Sequence, residues 1–172
     1  EEFVEGDGDR EKIGLIEPYI DEVASNIGNL GLELVINSGN GVTGVMARKL
    51  FEELGCSVKM INEAVDGSFP NHLADPGSDE AKKVTEDVLT DEDLGIIFDG
   101  DGDRAGFVLP ENGYVDEDEV IALLAEESLK LQKGTVVYDL RASKLVPEKI
   151  RDHSGVPEES RVGHTFISER IH

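Results

Sequence analysis

The chain reads as an α/β protein built on a mainly parallel, mixed sheet covered by helices. Three observations predict this. Short apolar runs alternate with amphipathic stretches at helical spacing, the order expected of strands joined by crossover helices. The runs are rich in Val, Ile and Leu, while aromatic residues make up only 5% of the chain and Trp is absent, so the core must be aliphatic, as buried parallel strands require. Finally, 172 residues suffice for one α/β domain of ordinary size and part of another.

Ile13, Ile16, Tyr19, Ile20, Val23 and Ile27 recur at helical spacing and predict an amphipathic helix ended by Gly28 and Gly31. Residues 32–36 read as a short strand. Residues 45–54, with Met46, Leu50, Phe51 and Leu54 on one face, read as a helix stopped by Gly55. A strand at 57–61, a helix at 81–89 and a strand at 94–98 follow, then a strand at 105–109 and a turn at Glu111-Asn112-Gly113. We place a domain boundary there, with residues 1–113 as one domain and 114–172 as the start of a second. In the second, 115–131 reads as a helix, 135–138 as a strand, 144–151 as a short helix, Arg161-Val162 as a short strand and 168–172 as the opening of a helix. Two strands and their helices are too little for a typical core, so the second domain is expected to be incomplete and the chain a piece of a longer protein.

Charge narrows the function. Asp and Glu number 38 against 16 Lys and Arg, giving a net charge of −22 and a pI near 4.3. Such a surface excludes binding to nucleic acid or an anionic membrane, both of which need positive patches. Any phosphate ligand must be held by a few local cations. The acidity also suits high salt, where screening weakens self-repulsion. Cys56 is the only cysteine, which rules out an internal disulfide and points to a reducing compartment. With no membrane-spanning apolar run and no signal-peptide pattern, the expected location is the cytoplasm.

The chemistry concentrates at Asp99-Gly100-Asp101-Gly102-Asp103-Arg104, directly after the apolar run 94–98. Carboxylates at every second position, separated by glycines that let the backbone fold tightly, can aim oxygens at one hard divalent cation. Arg104 adds a planar cation suited to phosphate, so the loop reads as metal plus phosphoryl group. The plain alternative is an acidic surface turn. An EF-hand fails, because Arg104 stands where its glycine belongs and Pro110 where its bidentate Glu belongs. The similar Gly6-Asp7-Gly8-Asp9-Arg10 has two aspartates and no preceding strand, and reads as a solvated turn.

A second motif competes. Gly39-Asn40-Gly41-Val42-Thr43-Gly44 fits G-x-G-x-x-G between a strand and a helix, and Glu63 lies near the distance expected of a ribose-binding carboxylate. A nicotinamide-binding Rossmann-type domain using Gly39, Gly41 and Gly44 is therefore the alternative function. The same glycines also serve a tight strand-to-helix connection that binds nothing. A third reading is a non-catalytic acidic module with many weak, interchangeable metal sites.

Taken in order, Val35-Ile36-Asn37-Ser38-Gly39-Asn40-Gly41, Phe69-Pro70-Asn71-His72, the Asp99–Arg104 loop and Arg161-Val162-Gly163-His164 resemble the α-D-phosphohexomutases, which include phosphomannomutase, phosphoglucomutase and phosphoglucosamine mutase. The resemblance runs along nearly the whole chain and makes residues 1–113 similar to the second of four domains and 114–172 to the start of the third. It implies an isomerase that interconverts hexose 1- and 6-phosphates through a phosphoserine and a bisphosphorylated sugar. The serine loop, of T-A-S-H-N-P type, and the sugar-recognition loop, of G-E-H-S-G-H type, are absent from this sequence. By resemblance, Asp99, Asp101 and Asp103 hold Mg²⁺, and Arg104 orients the phosphoserine or the bisphosphate. Arg141 stands where the family often carries a basic residue facing the reacting hydroxyl, and Gly163-His164 matches a pair near the sugar. The implied partners are a phosphosugar and the remaining domains of the parent chain. His72, His153 and His172 lack partners at metal-ligand spacing and are expected at the surface, with Phe69–Asp75 as a rigid connection of no assigned role.

Overall fold

The structure is a computed structural model that describes residue 6 and residues 8–171. Asp7, and with it part of the acidic turn at Gly6–Arg10, lies outside the described residues, as does His172. The chain divides into two compact units, Glu1–Pro110 and Glu111–His172.

The first unit contains α1 (Ile16–Ile27), β1 (Glu33–Asn37), a 3-10 turn (Val42–Val45), α2 (Ala47–Glu53), β2 (Ser57–Ile61), α3 (Asp79–Glu86), β3 (Leu94–Phe98) and β4 (Ala105–Leu109). The strands lie in the order β2-β1-β3-β4, with β1 parallel to β2 and β3, and β4 antiparallel to β3. This is the mixed, mainly parallel sheet that the sequence predicts. β1 is central and its Leu34, Val35 and Ile36 are fully buried, which is why its run has no polar alternation. Leu34 and Ile36 pack with Ala47, Leu54, Cys56 and Ile96 into the core, where Cys56 acts as a small apolar side chain. Helix α1 starts later than its apolar spacing suggests. Pro18 sits in its first turn and has no N–H to bond the carbonyl of Gly14, so the helix cannot extend back to Ile13. Helix α3 starts earlier than expected because the Ser78 side chain accepts a hydrogen bond from the Ala81 N–H at 3.3 Å and caps it.

The second unit contains β5 (Gly113–Tyr114), α4 (Glu117–Leu131), β6 (Thr135–Asp139), α5 (Leu145–Asp152), β7 (Val156–Ser160) and α6 (His164–Ile171). β6 and β7 are parallel, from Thr135 opposite Val156 to Asp139 opposite Ser160. Ala125, Leu129, Val146 and Ile150 form the core. The expected strand at Arg161-Val162 is corrected here: the strand is β7, five residues earlier, and Arg161-Val162 lies in the loop after it. Pro157, Glu158 and Glu159 hide it from a composition argument. Pairing with β6 overrides their weak strand preference, and proline is tolerated where a strand pairs on one side. Helix α6 likewise opens at His164, before the 168–172 expected. Among the described residues no helix is long and apolar enough to cross a membrane.

Candidate metal centre

The loop after β3 brings Asp99, Asp101 and Asp103 together: one carboxylate oxygen from each lies within 4.8 Å of the others. Asp99 is buried at the strand end, whereas Asp101 and Asp103 are exposed. Asp99 is also the fixed member. Its Oδ1 accepts from the Gly102 N–H at 2.8 Å and the Arg104 N–H at 3.2 Å, and its Oδ2 accepts from the Arg104 Nε–H at 2.9 Å. Burial pushes this carboxyl up, but the Arg104 backbone N–H and guanidinium outweigh it and hold it below the ordinary range. Asp103 is pushed up instead, by a hydrogen bond shared with Asp99 and by the charges of Asp101 and Asp99. Hard oxygen donors converging on one point suit Mg²⁺ or Ca²⁺ rather than a soft metal. Asp99 Oδ2 accepts from the Arg104 Nε–H, and a carboxylate oxygen has more than one lone pair with which to meet a metal. The residues therefore fit a divalent cation.

Two glycines make this loop possible. Gly102 has φ +78°, a left-handed turn that glycine adopts without strain. Gly41 allows close approach: a Cβ there would lie 2.7 Å from the Gly100 carbonyl oxygen and 2.9 Å from that of Asp99. The Val42 N–H donates to the same Gly100 oxygen at 3.0 Å. The glycine-rich loop is thus a brace for the metal loop, and the dinucleotide alternative is overturned. Its amides are already committed, with Gly39 N–H on Asn37 Oδ1 at 3.0 Å, Asn40 N–H on the Asn62 carbonyl at 2.8 Å and Gly41 N–H on the Ser38 carbonyl at 2.7 Å. Glu63, the candidate ribose ligand, forms a two-pronged ion pair with Arg48, at 3.0 Å to both Nε and Nη2.

Arg104 is mostly exposed and, besides Asp99, reaches Asp75 Oδ1 from Nη1 at 3.4 Å. The wall on which this pair stands has no local signature in the sequence. His72, expected at the surface, is 8% exposed. It is drawn inward because Asn37 Nδ2 and Asn62 Nδ2 each lie 3.1 Å from its Nε2, while its Nδ1 lies 2.8 Å from the Leu73 carbonyl. His153 is also half-buried rather than exposed, with Nε2 3.5 Å from Glu126. No local pattern reports either, since the partners are remote in sequence.

Arg141, Gly163 and His164 all belong to the second unit. Arg141 follows β6 and the Gly163-His164 pair follows β7, and because the two strands are parallel these residues share the carboxyl end of the small sheet, the usual location of ligand sites in such sheets. Arg141 folds back on Asp139, with Nη2 2.7 Å from Oδ2, which lowers the Asp139 pKa and raises its own. Its loop is tied down by the Ser143 N–H, which donates to Asp118 Oδ2 at 2.6 Å. Gly163 takes φ +130° and His164 opens α6 as an exposed residue.

Comparison with known proteins adds to this geometry. Residues 17–113 match the family model described as phosphoglucomutase/phosphomannomutase, alpha/beta/alpha domain II, and residues 116–172 match that of domain III. A phosphomannomutase/phosphoglucomutase of Pseudomonas syringae pv. tomato is 35% identical over 93% of this chain and 35% of its own length. A phosphomannomutase of Methanocaldococcus jannaschii is 37% identical over 94% of this chain and 36% of its own. The crystal structure of a phosphoglucomutase/phosphomannomutase family protein from Burkholderia thailandensis superposes with a TM-score of 0.86 at 32% identity, covering 94% of this chain and 36% of that one. The chain thus spans little more than a third of the length of these relatives.

Proposed function

The chain belongs to the phosphoglucomutase/phosphomannomutase family, and from that premise we propose that it forms part of a phosphohexomutase that interconverts hexose 1-phosphates and 6-phosphates through a phosphoserine and a bisphosphorylated sugar. Within that reading, residues 1–113 act as the metal-bearing domain and 114–172 as the start of the next, with mannose, glucose or glucosamine phosphate as substrate and the parent chain's other domains as partners. A single cysteine, buried and apolar in its contacts, supports a reducing, cytoplasmic setting.

The observation that carries the proposal is the convergence of Asp99, Asp101 and Asp103 at the end of β3. These three would hold Mg²⁺, which when bound spreads the charge of a transferring phosphoryl group and fixes its oxygens. Asp99 supplies the rigid oxygen, and Asp101 and Asp103, being exposed, adjust to the ion. Arg104 holds Asp99 through Nε and presents the rest of its guanidinium to phosphate oxygens, where its planar fork suits a phosphoserine or bisphosphate. Arg141 acts by charge: a guanidinium does not give up its proton near neutral pH, so it stabilises a developing alkoxide or phosphate oxygen and is no base. His164 hydrogen-bonds a sugar hydroxyl or carries its proton, with Gly163 leaving room for the ring of the sugar.

The test is Mg²⁺ titration by calorimetry of this chain and of Asp101→Ala. Loss of a direct carboxylate ligand should weaken the ion by tenfold or more, roughly 1.4 kcal/mol. Equal affinity in both proteins removes the loop from the mechanism. In the full-length protein, conversion of hexose 1-phosphate should fall in step with metal affinity.

A further inference from the structure

Resting on the metal-loop reading, we infer that His72 is a positioning residue for the cation site, acting through the hydrogen-bond knot it closes beneath the glycine-rich loop. The Leu73 carbonyl can only accept, so His72 Nδ1 carries a hydrogen and donates to it at 2.8 Å. Nε2 lies 3.1 Å from Asn37 Nδ2 and from Asn62 Nδ2, two amide donors for which it is the acceptor, and 3.2 Å from Asn37 Oδ1. The second N–H of Asn37 goes to Thr85 Oγ1 at 3.0 Å, which itself donates to the Ala81 carbonyl at 2.8 Å. The second N–H of Asn62 goes to Asn37 Oδ1 at 3.1 Å, the same oxygen that accepts the Gly39 N–H at 3.0 Å. Every donor in the knot has an acceptor.

The knot touches the metal loop from two sides. On one, Asn37 and the His72 ring fix Gly39, where a Cβ would lie 3.3 Å from His72 Cε1, and so set the position of Gly41 and Val42 against Gly100. On the other, His72 pins the middle of the segment 69–75. The Phe69 ring and the Ala74 Cβ of that segment line Gly100, at 3.2 and 3.6 Å from where its Cβ would stand, and Asp75 holds Arg104 at 3.4 Å. One ring therefore holds both walls of the loop in register. His72 makes no contact with a carboxylate of the cluster among the hydrogen bonds of the described residues, so its influence is on their placement.

The experiment compares the chain with His72→Leu, which fills the space without an acceptor, and His72→Gln, whose Oε1 can stand where Nε2 accepts. The readouts are Mg²⁺ affinity by calorimetry and amide hydrogen exchange at Val42 and Gly102, with urea midpoints measured in parallel. In His72→Leu, affinity of the folded protein should fall about tenfold, the lower end of what groups supporting a ligand contribute, and both amides should exchange faster. In His72→Gln both should return towards the parent values. Loss of stability in His72→Leu with Mg²⁺ affinity unchanged would overturn the inference and leave the metal loop standing, as would a glutamine variant no better than leucine. Absence of Mg²⁺ binding in the parent chain would overturn the metal-loop reading and this inference with it.

Discussion

Replacing Gly41 by alanine isolates the brace between the glycine-rich loop and the metal loop. The backbone at Gly41 has φ −82°, a value alanine adopts freely, so conformational strain makes no contribution. The added methyl, however, would sit 2.7 Å from the Gly100 oxygen and 2.9 Å from both the Gly100 Cα and the Asp99 oxygen. All three are backbone atoms, with no side-chain rotamer to move aside. Overpacking of this kind costs about 1–3 kcal/mol, and pushing Gly100 away also stretches the Val42–Gly100 hydrogen bond, a further 0.5–1.5 kcal/mol or so. The sum, roughly 1.5–4.5 kcal/mol, should lower a urea midpoint by on the order of 1–2 M for a unit of this size. Because Gly100 lies between two of the carboxylates, Mg²⁺ affinity should fall as well, and NADH should bind neither protein. A Gly41→Ala variant within 0.5 kcal/mol of the parent and with unaltered Mg²⁺ affinity would refute the close approach on which the brace rests.

Two other outcomes are expected. Glu92, held down to about 2 by the Thr90 N–H and by Lys59, and Glu126, held down to about 2 by Lys130 and Lys149, both have folded-state pKa values below their ordinary 4.5. Their contribution is present above about 4.5 and is lost as pH falls towards 2, so urea midpoints should decline through that window, and less steeply in Glu92→Gln; an unchanged slope would show that the Glu92 contacts do not persist in solution. Arg141→Ala removes only an exposed pairing with Asp139, for which about 0–1 kcal/mol is typical, so stability should barely change while turnover of the full-length enzyme falls at least tenfold; unimpaired turnover would remove Arg141 from the mechanism.

Much of this molecule could be read from its chain, and the exceptions share a cause. The strands at 57–61, 94–98 and 105–109 appear where expected because each is bounded by a glycine, a turn or a polar cluster and its apolar residues suffice to define it. The acidic loop is legible because its three carboxylates stand at alternate positions of one short segment, so spacing alone brings them together. β7 was misplaced because Pro157, Glu158 and Glu159 become a strand only through their partner β6. His72 reads as a surface residue in the sequence because Asn37 and Asn62, which bury it, are 35 and 10 residues away. The glycine motif was ambiguous for a similar reason: G-x-G-x-x-G specifies a backbone that can approach something closely, and only the fold shows that the something is Gly100 rather than a pyrophosphate.

Where the charges sit explains how a chain of net charge −22 can bring three carboxylates to one point. Repulsion among them would open the loop if all three were held by side chains alone. The structure divides the task. Asp99 is buried and tied by two amide hydrogens and a guanidinium, which fix its position. Asp101 and Asp103 remain in solvent, where repulsion is screened, and the charges of Asp101 and Asp99 raise the Asp103 pKa. The support beneath is built from amides, a hydroxyl and an imidazole, which hold the loop from below by hydrogen bonds. Arg104 joins the cluster from its side, with Nε 2.9 Å from Asp99 and 3.8 Å from Asp103, so its cation offsets part of the repulsion that the knot does not.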